Sequence, residues 1–245
     1  MIGSTFTSSP TIHAHTAFST GDLSLLQDEE GNHCSSFPVA LLRLIQQGAV
    51  LTNRETRSSN LSGSSKSRAH EVLLLIRAAQ AFDPHEWAAE IQTRSPSFDL
   101  KQRLHIACAH RAATSIYLSR ILWSIDPISE VPNSLDPLVA DIIRYLLPIT
   151  INDPLFTATT WPAFIAGAEA EDCVTQDWAA NHFEELWMVE PWGLVSGALR
   201  VLESIWRQRK ARASLVDDGL DQEGVKGSID WTAAIRASGR DWMIL

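Results

Sequence analysis

Acid–base chemistry in this sequence would depend on a few side chains placed in helical segments. His110 and Tyr117 lie seven residues apart in the most helical part of the chain, and Glu169 stands near the end of a later segment. Imidazole, phenol and carboxylate groups transfer protons when burial or neighbouring charges separate their pKa values. His110, Tyr117 and Glu169 are therefore the catalytic candidates if the chain is an enzyme. The alternative is that His110 is a hydrogen-bonded histidine of the core.

The sequence lacks the motifs that usually carry cofactor or metal chemistry. It contains no G-x-G-x-x-G, G-x-x-x-x-G-K-[ST], G-x-S-x-G or H-E-x-x-H pattern, each of which positions a phosphate, a nucleophile or a zinc ion. His70 and His85 are each followed by glutamate but lack the second histidine that zinc would need. His13 and His15 form a close pair that we do not interpret as a metal site. We predict no metal and no cofactor.

The stretch at 161–171, W-P-A-F-I-A-G-A-E-A-E, is the centre of a ligand-binding hypothesis. Eight of the nine tryptophans lie from Trp123 onward, and alanine and glycine fill much of this stretch. Large aromatic and small side chains together can leave space between helices for an apolar ligand. The candidate ligand-binding residues are Trp161, Phe164, Glu169 and Trp206. The alternative is a packed central helix without a cavity.

Helical periodicity dominates the sequence and predicts an all-α fold. Apolar residues recur at helical spacing in several segments, and no segment shows the alternation of a strand. Residues 99–123 are apolar around most of the helix circumference, which predicts a long buried central helix. Pro162 suits the first position of a helix, so Trp161 should mark a break. Asp83 and Thr175 are predicted helix N-caps.

Composition divides the chain into a helical domain and two polar segments. Residues 1–35 mix Ser, Thr, His and Gly with few apolar positions, which predicts a flexible N-terminal arm. Residues 52–68 are dense in serine and predict a disordered loop. The remainder of 36–245 is predicted to form a single helical domain with a sizeable core. The first residues lack the features of a signal peptide and no apolar run reaches the roughly 18 residues of a membrane span, so we expect no membrane association.

Charge and cysteine content restrict the classes of partner. The formal net charge is −9 and the pI is about 5.3, whereas non-specific affinity for nucleic acids comes from cationic side chains. We therefore expect no direct nucleic-acid binding. Cys34, Cys108 and Cys173 are far apart in the sequence, so we interpret them as reduced thiols of an intracellular protein. The basic run R-Q-R-K-A-R at 207–212 suits either the C-terminal end of a helix or a nuclear-import signal.

Five segments, taken in order, resemble one known family. They are A-H-R-A-A-T-S-I-Y-L-S-R-I-L at 109–122, L-L-P at 146–148, W-P-A-F-I-A-G-A-E-A from Trp161, A-L-R-V-L-E-S-I-W-R from Ala198 and G-R-D-W-M-I-L from Gly239. Together they cover roughly residue 69 to the C-terminus. The sequence resembles the fungal-specific transcription factor domain, the regulatory region downstream of the DNA-binding finger in Zn2Cys6 regulators. The likeness is greatest to the branch that includes regulators of arginine metabolism and sterol uptake.

The resemblance implies a helical domain that receives inhibitory, ligand or activation signals and passes them to an attached finger and to the transcription machinery. It also implies a location in the nucleus; without it, the cytoplasm would be expected. The expected partners are other transcription regulators, a second copy of the chain as a homodimer, and a small apolar ligand. The family offers no matched set of functional residues to transfer to this sequence.

The sequence departs from the family pattern in its cysteines. A Zn2Cys6 finger needs six closely spaced cysteines, and this chain has three distant ones. It is therefore either a fragment of a longer regulator or a free-standing relative without its own finger, and Met1 favours the second interpretation. The alternative function is an enzyme of fungal secondary metabolism that reuses the helical scaffold, since function resides in sites and not in folds.

We predict that the purified chain does not shift duplex DNA in an electrophoretic mobility assay at physiological salt. The net charge of −9 opposes the approach of a polyanion, and the cysteines of a finger are missing. Sequence-specific binding at nanomolar protein that survives about 150 mM salt would contradict this prediction, because it would require a basic surface.

Overall fold

The computed structural model of the protein describes Glu30 and residues 36–53, 62–96, 98–127, 134–217 and 230–232. Within these ranges it contains eight α-helices, one short 3-10 helix and no strand, which confirms the all-α prediction. The helices are α1 (Val39–Asn53), α2 (Ser62–Ala81), α3 (Pro84–Arg94), α4 (Leu100–Ile125), α5 (Asp136–Leu146), α6 (Thr160–Glu169), α7 (Cys173–Val189) and α8 (Gly193–Asp217); the 3-10 helix is Phe156–Thr159. None of the described helices is long and apolar enough to cross a membrane.

Helix α4 is the centre of the fold. It contains 26 residues, and every residue from Ala112 to Leu122 is buried. It contacts α1, α2, α3, α5 and α6. A helix surrounded by neighbours has no solvent face to present, which explains why apolar residues occupy most of its circumference. The predicted long buried central helix is confirmed.

Helix α6 joins the α4 side of the molecule to the last two helices. It contacts α4 and α5 as well as α7 and α8, and its residues from Trp161 to Glu169 are all buried. Trp161 lies inside the main hydrophobic core, and Trp206 of α8 is half-buried against that core. The stretch at 161–171 therefore supplies the packed central helix that the sequence offered as one of two interpretations.

The start of α6 differs from the sequence-based prediction. The helix begins at Thr160, directly after the 3-10 helix, so Trp161 is a helical residue and does not mark a break. Pro162 is the third residue of the helix. The first N–H groups of a helix have no intrahelical acceptor, so a proline in the first turn removes no hydrogen bond.

Two other boundaries also differ. Helix α1 continues to Asn53 and α2 begins at Ser62, so the predicted loop at 52–68 is helical at both ends, and its middle at 54–61 lies outside the described residues. Helix α8 continues to Asp217, which places the basic run at 207–212 inside the helix and not at its C-terminal end. Serine is only a weak helix breaker, and Ser65 Oγ in the first turns of α2 donates to the carbonyl of Ile125 at 3.1 Å.

Carboxylates cap two of the helices. Asp83 Oδ1 accepts hydrogen bonds from the N–H groups of His85 at 2.8 Å and Glu86 at 3.3 Å, which confirms the predicted cap of α3. The cap of α7 is Asp172, whose Oδ1 accepts from the N–H of Thr175 at 2.8 Å. Thr175 was the predicted cap, and it is instead the residue whose amide is capped.

At Gly167, α6 lies directly against α7 and α8. A Cβ atom added there would be 2.9 Å from the Cβ of Ala179 and 3.0 Å from Cδ1 of Leu202. These distances are shorter than ordinary van der Waals contacts, so the missing side chain allows the helices to approach each other. The small residue at this position is used for close packing and leaves no room for a ligand.

We predict that Gly167→Ala destabilises the protein. Overpacking against the Cβ of Ala179, which cannot rotate away, costs about 1 to 3 kcal/mol and outweighs the gain of at most about 1 kcal/mol from replacing a helical glycine. Denaturant titration measures the change in the free energy of unfolding. Gly193→Ala is the matched control, because an added Cβ there meets nothing within 4 Å, and it should stay within about 0.5 kcal/mol of the parent. A Gly167→Ala protein as stable as the parent would show that the helices are not in close contact.

Candidate functional site

A buried ion pair connects α4 to the C-terminal end of α6. Arg120 Nε donates to Glu169 Oε1 at 2.7 Å, and Arg120 Nη2 donates to Glu169 Oε2. The side chains are only 8% and 4% exposed. A guanidinium that meets both carboxylate oxygens forms two parallel charge-assisted hydrogen bonds, the geometry that best compensates two charges removed from water.

Electrostatics keeps Arg120 charged in this position. Burial by itself lowers the pKa of Arg120, but the hydrogen bond and the negative charge of Glu169 outweigh burial and raise that pKa above its ordinary value. The guanidinium also lies over the ring of Trp123, 4.9 Å from the ring centroid, where the negative face of the indole attracts a cation.

Trp231 completes the cluster around Glu169. Its Nε1 donates to Glu169 Oε1 at 2.6 Å, and its ring is perpendicular to that of Phe164, with centroids 6.1 Å apart. Trp231 is 2% exposed. A residue 62 positions away from Glu169 is therefore inserted into the core between an aromatic ring and a carboxylate. We call Arg120, Glu169, Phe164 and Trp231 the Glu169 cluster.

Side chains from α7 and α8 satisfy the carbonyl groups at the same end of α6. Trp206 Nε1 donates to the carbonyl of Gly167 at 2.8 Å. Arg209 Nη1 donates to the carbonyl of Ala170 at 2.8 Å, and Gln176 Nε2 donates to it at 3.2 Å. The last carbonyls of a helix have no intrahelical donors and carry its negative dipole end, so a cation is favourable there. Burial lowers the pKa of Arg209.

His110 belongs to a different cluster near the start of α6. Its ring is stacked on that of Trp161, with centroids 5.7 Å apart and planes 8° apart, and the ring of Phe37 is 4.2 Å away. Nε2 lies 3.0 Å from the carbonyl of Ala158, so Nε2 carries the hydrogen and donates it. Burial lowers the pKa of His110 to about 3. The ring is therefore neutral at physiological pH, as expected for a hydrogen-bonded core histidine.

His182 is a second buried histidine with the same electrostatic character. Its Nε2 lies 2.7 Å from Thr159 Oγ1, whose own hydrogen is directed to the carbonyl of Phe156 at 2.5 Å. The histidine nitrogen must then be the donor. Its ring is stacked on that of Trp178 at 5.4 Å, and burial lowers the pKa of His182 to about 4.

The structure brings some predicted site residues together and separates others. Phe164 and Glu169 both contact Trp231, whereas Trp161 contacts His110 and Trp206 contacts the backbone of α6. Ligand binding by these four residues stays a prediction.

Two of the three catalytic candidates, His110 and Glu169, lie in different clusters. Tyr117 is buried in α4. Glu169 meets α4 at Arg120, ten residues and about 15 Å along the helix axis from His110. The proton-transfer hypothesis gains no support from these positions.

Sequence reasoning missed a second buried carboxylate, that of Glu30. Its Oε1 accepts from the N–H of Val39 at 2.6 Å and from Trp87 Nε1 at 3.4 Å, and its Oε2 accepts from Arg94 Nη2 at 3.1 Å. Arg103 Nη1 donates to its backbone carbonyl at 3.5 Å. The prediction of a flexible arm at 1–35 did not include these contacts of Glu30. The rest of that range lies outside the described residues. Among the described side chains, no group of three or more His, Cys, Asp or Glu residues could hold a metal ion.

The pattern of residues gave one signal for the missed partners. Arg103 and Arg120 lie in a helix that is otherwise apolar, and a charged residue that must be buried needs a partner. Asp99 stands four residues before Arg103, a spacing that pairs opposite charges along a helix. Glu169 lies 49 residues from Arg120, and a helical pattern identifies a buried face but not the residue opposite. Trp231 carries no distinguishing signal among nine tryptophans.

Comparison with known proteins identifies the family of this chain. A family model described as the fungal specific transcription factor domain matches residues 3–245. The chain belongs to that family. The resemblance inferred from five motifs is confirmed, and the match extends beyond residue 69 toward the N-terminus. Membership in the fungal specific transcription factor domain family supports transcription regulation as the class of function.

The chain is also similar to a curated fungal protein. The acriflavine sensitivity control protein acr-2 of Neurospora crassa is 28% identical over 229 residues. The aligned region covers 90% of this chain but 36% of the relative, so the chain spans little more than a third of that protein's length. No solved structure matches the chain.

We predict that the free energy of unfolding falls less steeply with decreasing pH in His110→Gln than in the parent protein. In the parent, the unfolded chain binds a proton at His110 below about pH 6.5, while the folded chain does so only near pH 3. The stability contributed by the neutral ring is thus present above pH 6.5 and is lost as the pH falls. Between pH 7 and pH 5 the parent should lose about 2 kcal/mol more than the variant.

The measurement is urea unfolding at several pH values. Glutamine keeps an N–H donor for the carbonyl of Ala158 but does not titrate. His70→Gln, at an exposed position of α2, is the control and should follow the parent. Parallel profiles for the parent and His110→Gln would mean that the ring is hydrated in the folded protein.

Proposed function

We propose that this chain is the regulatory domain of a fungal transcription regulator and that it acts through contacts with other proteins. The observation that supports protein contact is a run of exposed large apolar residues at the end of α7 and just beyond it. Met188 is 75% exposed and Trp192 is 63% exposed, and Trp187 and Val189 are also exposed. Large apolar side chains grouped on a surface usually mark an interaction site. We call these four residues the α7 surface.

Acidic residues border the α7 surface. Glu184 and Glu185 are exposed one helical turn before Met188, and Glu190 follows the helix. Residues three and four apart lie on the same face of a helix. A matching partner would offer an apolar groove that accepts the tryptophans, with a basic rim opposite the glutamates.

The partner belongs to the transcription machinery or to another regulator, so we also propose that the protein works in the nucleus. The α7 surface does not overlap with the buried Glu169 cluster, and a surface contact requires no internal space. Ligand binding around Trp161 and Trp206 is a separate proposal that the close packing at Gly167 does not favour. The enzyme alternative has no supporting observation and is not proposed.

A reporter assay tests the proposed function. The chain is fused to a heterologous DNA-binding domain in a fungal host, and we expect it to change the output of a reporter gene relative to the DNA-binding domain alone. The double variant Trp187→Ser, Trp192→Ser should return the output to that baseline. Interface tryptophans contribute about 2 kcal/mol each, so the double change lowers partner affinity by about a thousandfold.

The controls separate loss of contact from loss of folding. Leu147→Ser and Val174→Ser each replace an exposed apolar residue outside the α7 surface and should leave the reporter output unchanged. Circular dichroism and melting temperature should match between all variants. A fusion that never changes the reporter output would reject transcription regulation by this chain, and an unaffected double variant would reject the α7 surface alone.

A further inference from the structure

Trp231 fills a site that is built from residues of α4 and α6. The indole is perpendicular to the ring of Phe164, with centroids 6.1 Å apart, and its Nε1 donates to Glu169 Oε1 at 2.6 Å. Glu169 and its partner Arg120 are almost completely buried. The site therefore selects for two properties, a flat aromatic ring and an N–H donor at its edge.

The acceptor of this site does not depend on Trp231. Arg120 donates to both oxygens of Glu169, so the charge of the carboxylate stays compensated when the indole leaves. Each carboxylate oxygen has two lone pairs. On Oε1, Arg120 Nε takes one of them and the indole takes the other. Without Trp231, the site would offer one free lone pair next to the ring of Phe164.

Residues 230–232, which carry Trp231, form hydrogen bonds among themselves. Asp230 Oδ1 accepts from the N–H of Thr232 at 3.0 Å and from Thr232 Oγ1 at 2.6 Å. These bonds lie within residues 230–232 and do not require the core. Withdrawal of the indole therefore leaves these two hydrogen bonds intact.

We propose that Trp231 acts as an internal ligand and that its site also accepts a free planar heteroaromatic molecule with an N–H donor, of the indole or benzimidazole class. Such a molecule competes with Trp231 and displaces its indole from the core. The Glu169 cluster is then a switch that a small molecule controls. The inference is independent of the α7 surface, because neither its residues nor its experiment involve α7.

A variant without the Trp231 indole tests directly whether the site binds a free aromatic molecule. Trp231→Ala leaves a cavity of the shape of the lost side chain, and a buried apolar cavity can bind a small aromatic molecule of matching size. Indole should raise the melting temperature of this variant by about 5 to 10 °C at a hundredfold excess over Kd. Benzofuran has the same shape without the N–H, and it should give a clearly smaller shift.

Two further variants keep the test decisive. Trp231→Phe retains a ring without the N–H donor, so it folds if the alanine variant does not, and indole should stabilise it more than it stabilises the parent. Leu147→Ala removes an exposed apolar side chain outside the Glu169 cluster and the α7 surface and should show no response beyond that of the parent. Equal shifts with indole and benzofuran, or no shift in either Trp231 variant, would overturn the proposal.

The parent protein tests the competition. Trp231 is tethered and competes at a high effective concentration, so indole should bind the parent more weakly than the alanine variant. At saturating indole, amide hydrogen exchange of Trp231 should become faster, because its side chain leaves the core. Unchanged exchange at this amide while indole binds would show that the molecule occupies another site.

Discussion

The ion pair between Arg120 and Glu169 is the constraint on which the last third of the described fold depends. Two charges are held out of water between helices that lie 49 residues apart in sequence, and leaving either one unpaired costs about 3 to 5 kcal/mol. The pair fixes α6 against α4 at one point. Trp231 closes over the same carboxylate, and Trp206 and Arg209 bind the carbonyl groups next to it. One desolvated acid thus determines where α4, α6, α8 and residues 230–232 meet.

A similar set of hydrogen bonds to a buried carboxylate occurs near the other end of the described chain. Glu30 and Glu169 each accept a hydrogen bond from an indole N–H and another from a guanidinium. At Glu30 the N-terminal segment supplies the acid, and at Glu169 the C-terminal segment supplies the indole. Both segments are attached by polar contacts in an apolar surrounding, where an unsatisfied partner is expensive and the geometry is therefore specific.

Local rules explain what the sequence predicted well. The period of apolar residues located α4, and the Asp83-Pro84 pair located the start of α3, because both signals act within one or two turns of helix. The pairing of Arg120 with Glu169 is not local, so no spacing revealed it. Among the ligand candidates, Phe164 and Glu169 do share a neighbour, but that neighbour is Trp231 of the same chain. Small residues at 161–171 suggested space, whereas Gly167 allows α6 to touch both α7 and α8.

The sequence separation within the Glu169 cluster also sets an order of events during synthesis. Arg120 leaves the ribosome before Glu169, and Trp231 follows Glu169 by 62 residues, which takes about 3 to 12 s at ordinary elongation rates. Throughout that interval Arg120 is already available to the nascent carboxylate and the indole is not. The residues that form the site for the ring are therefore all synthesised before the ring itself.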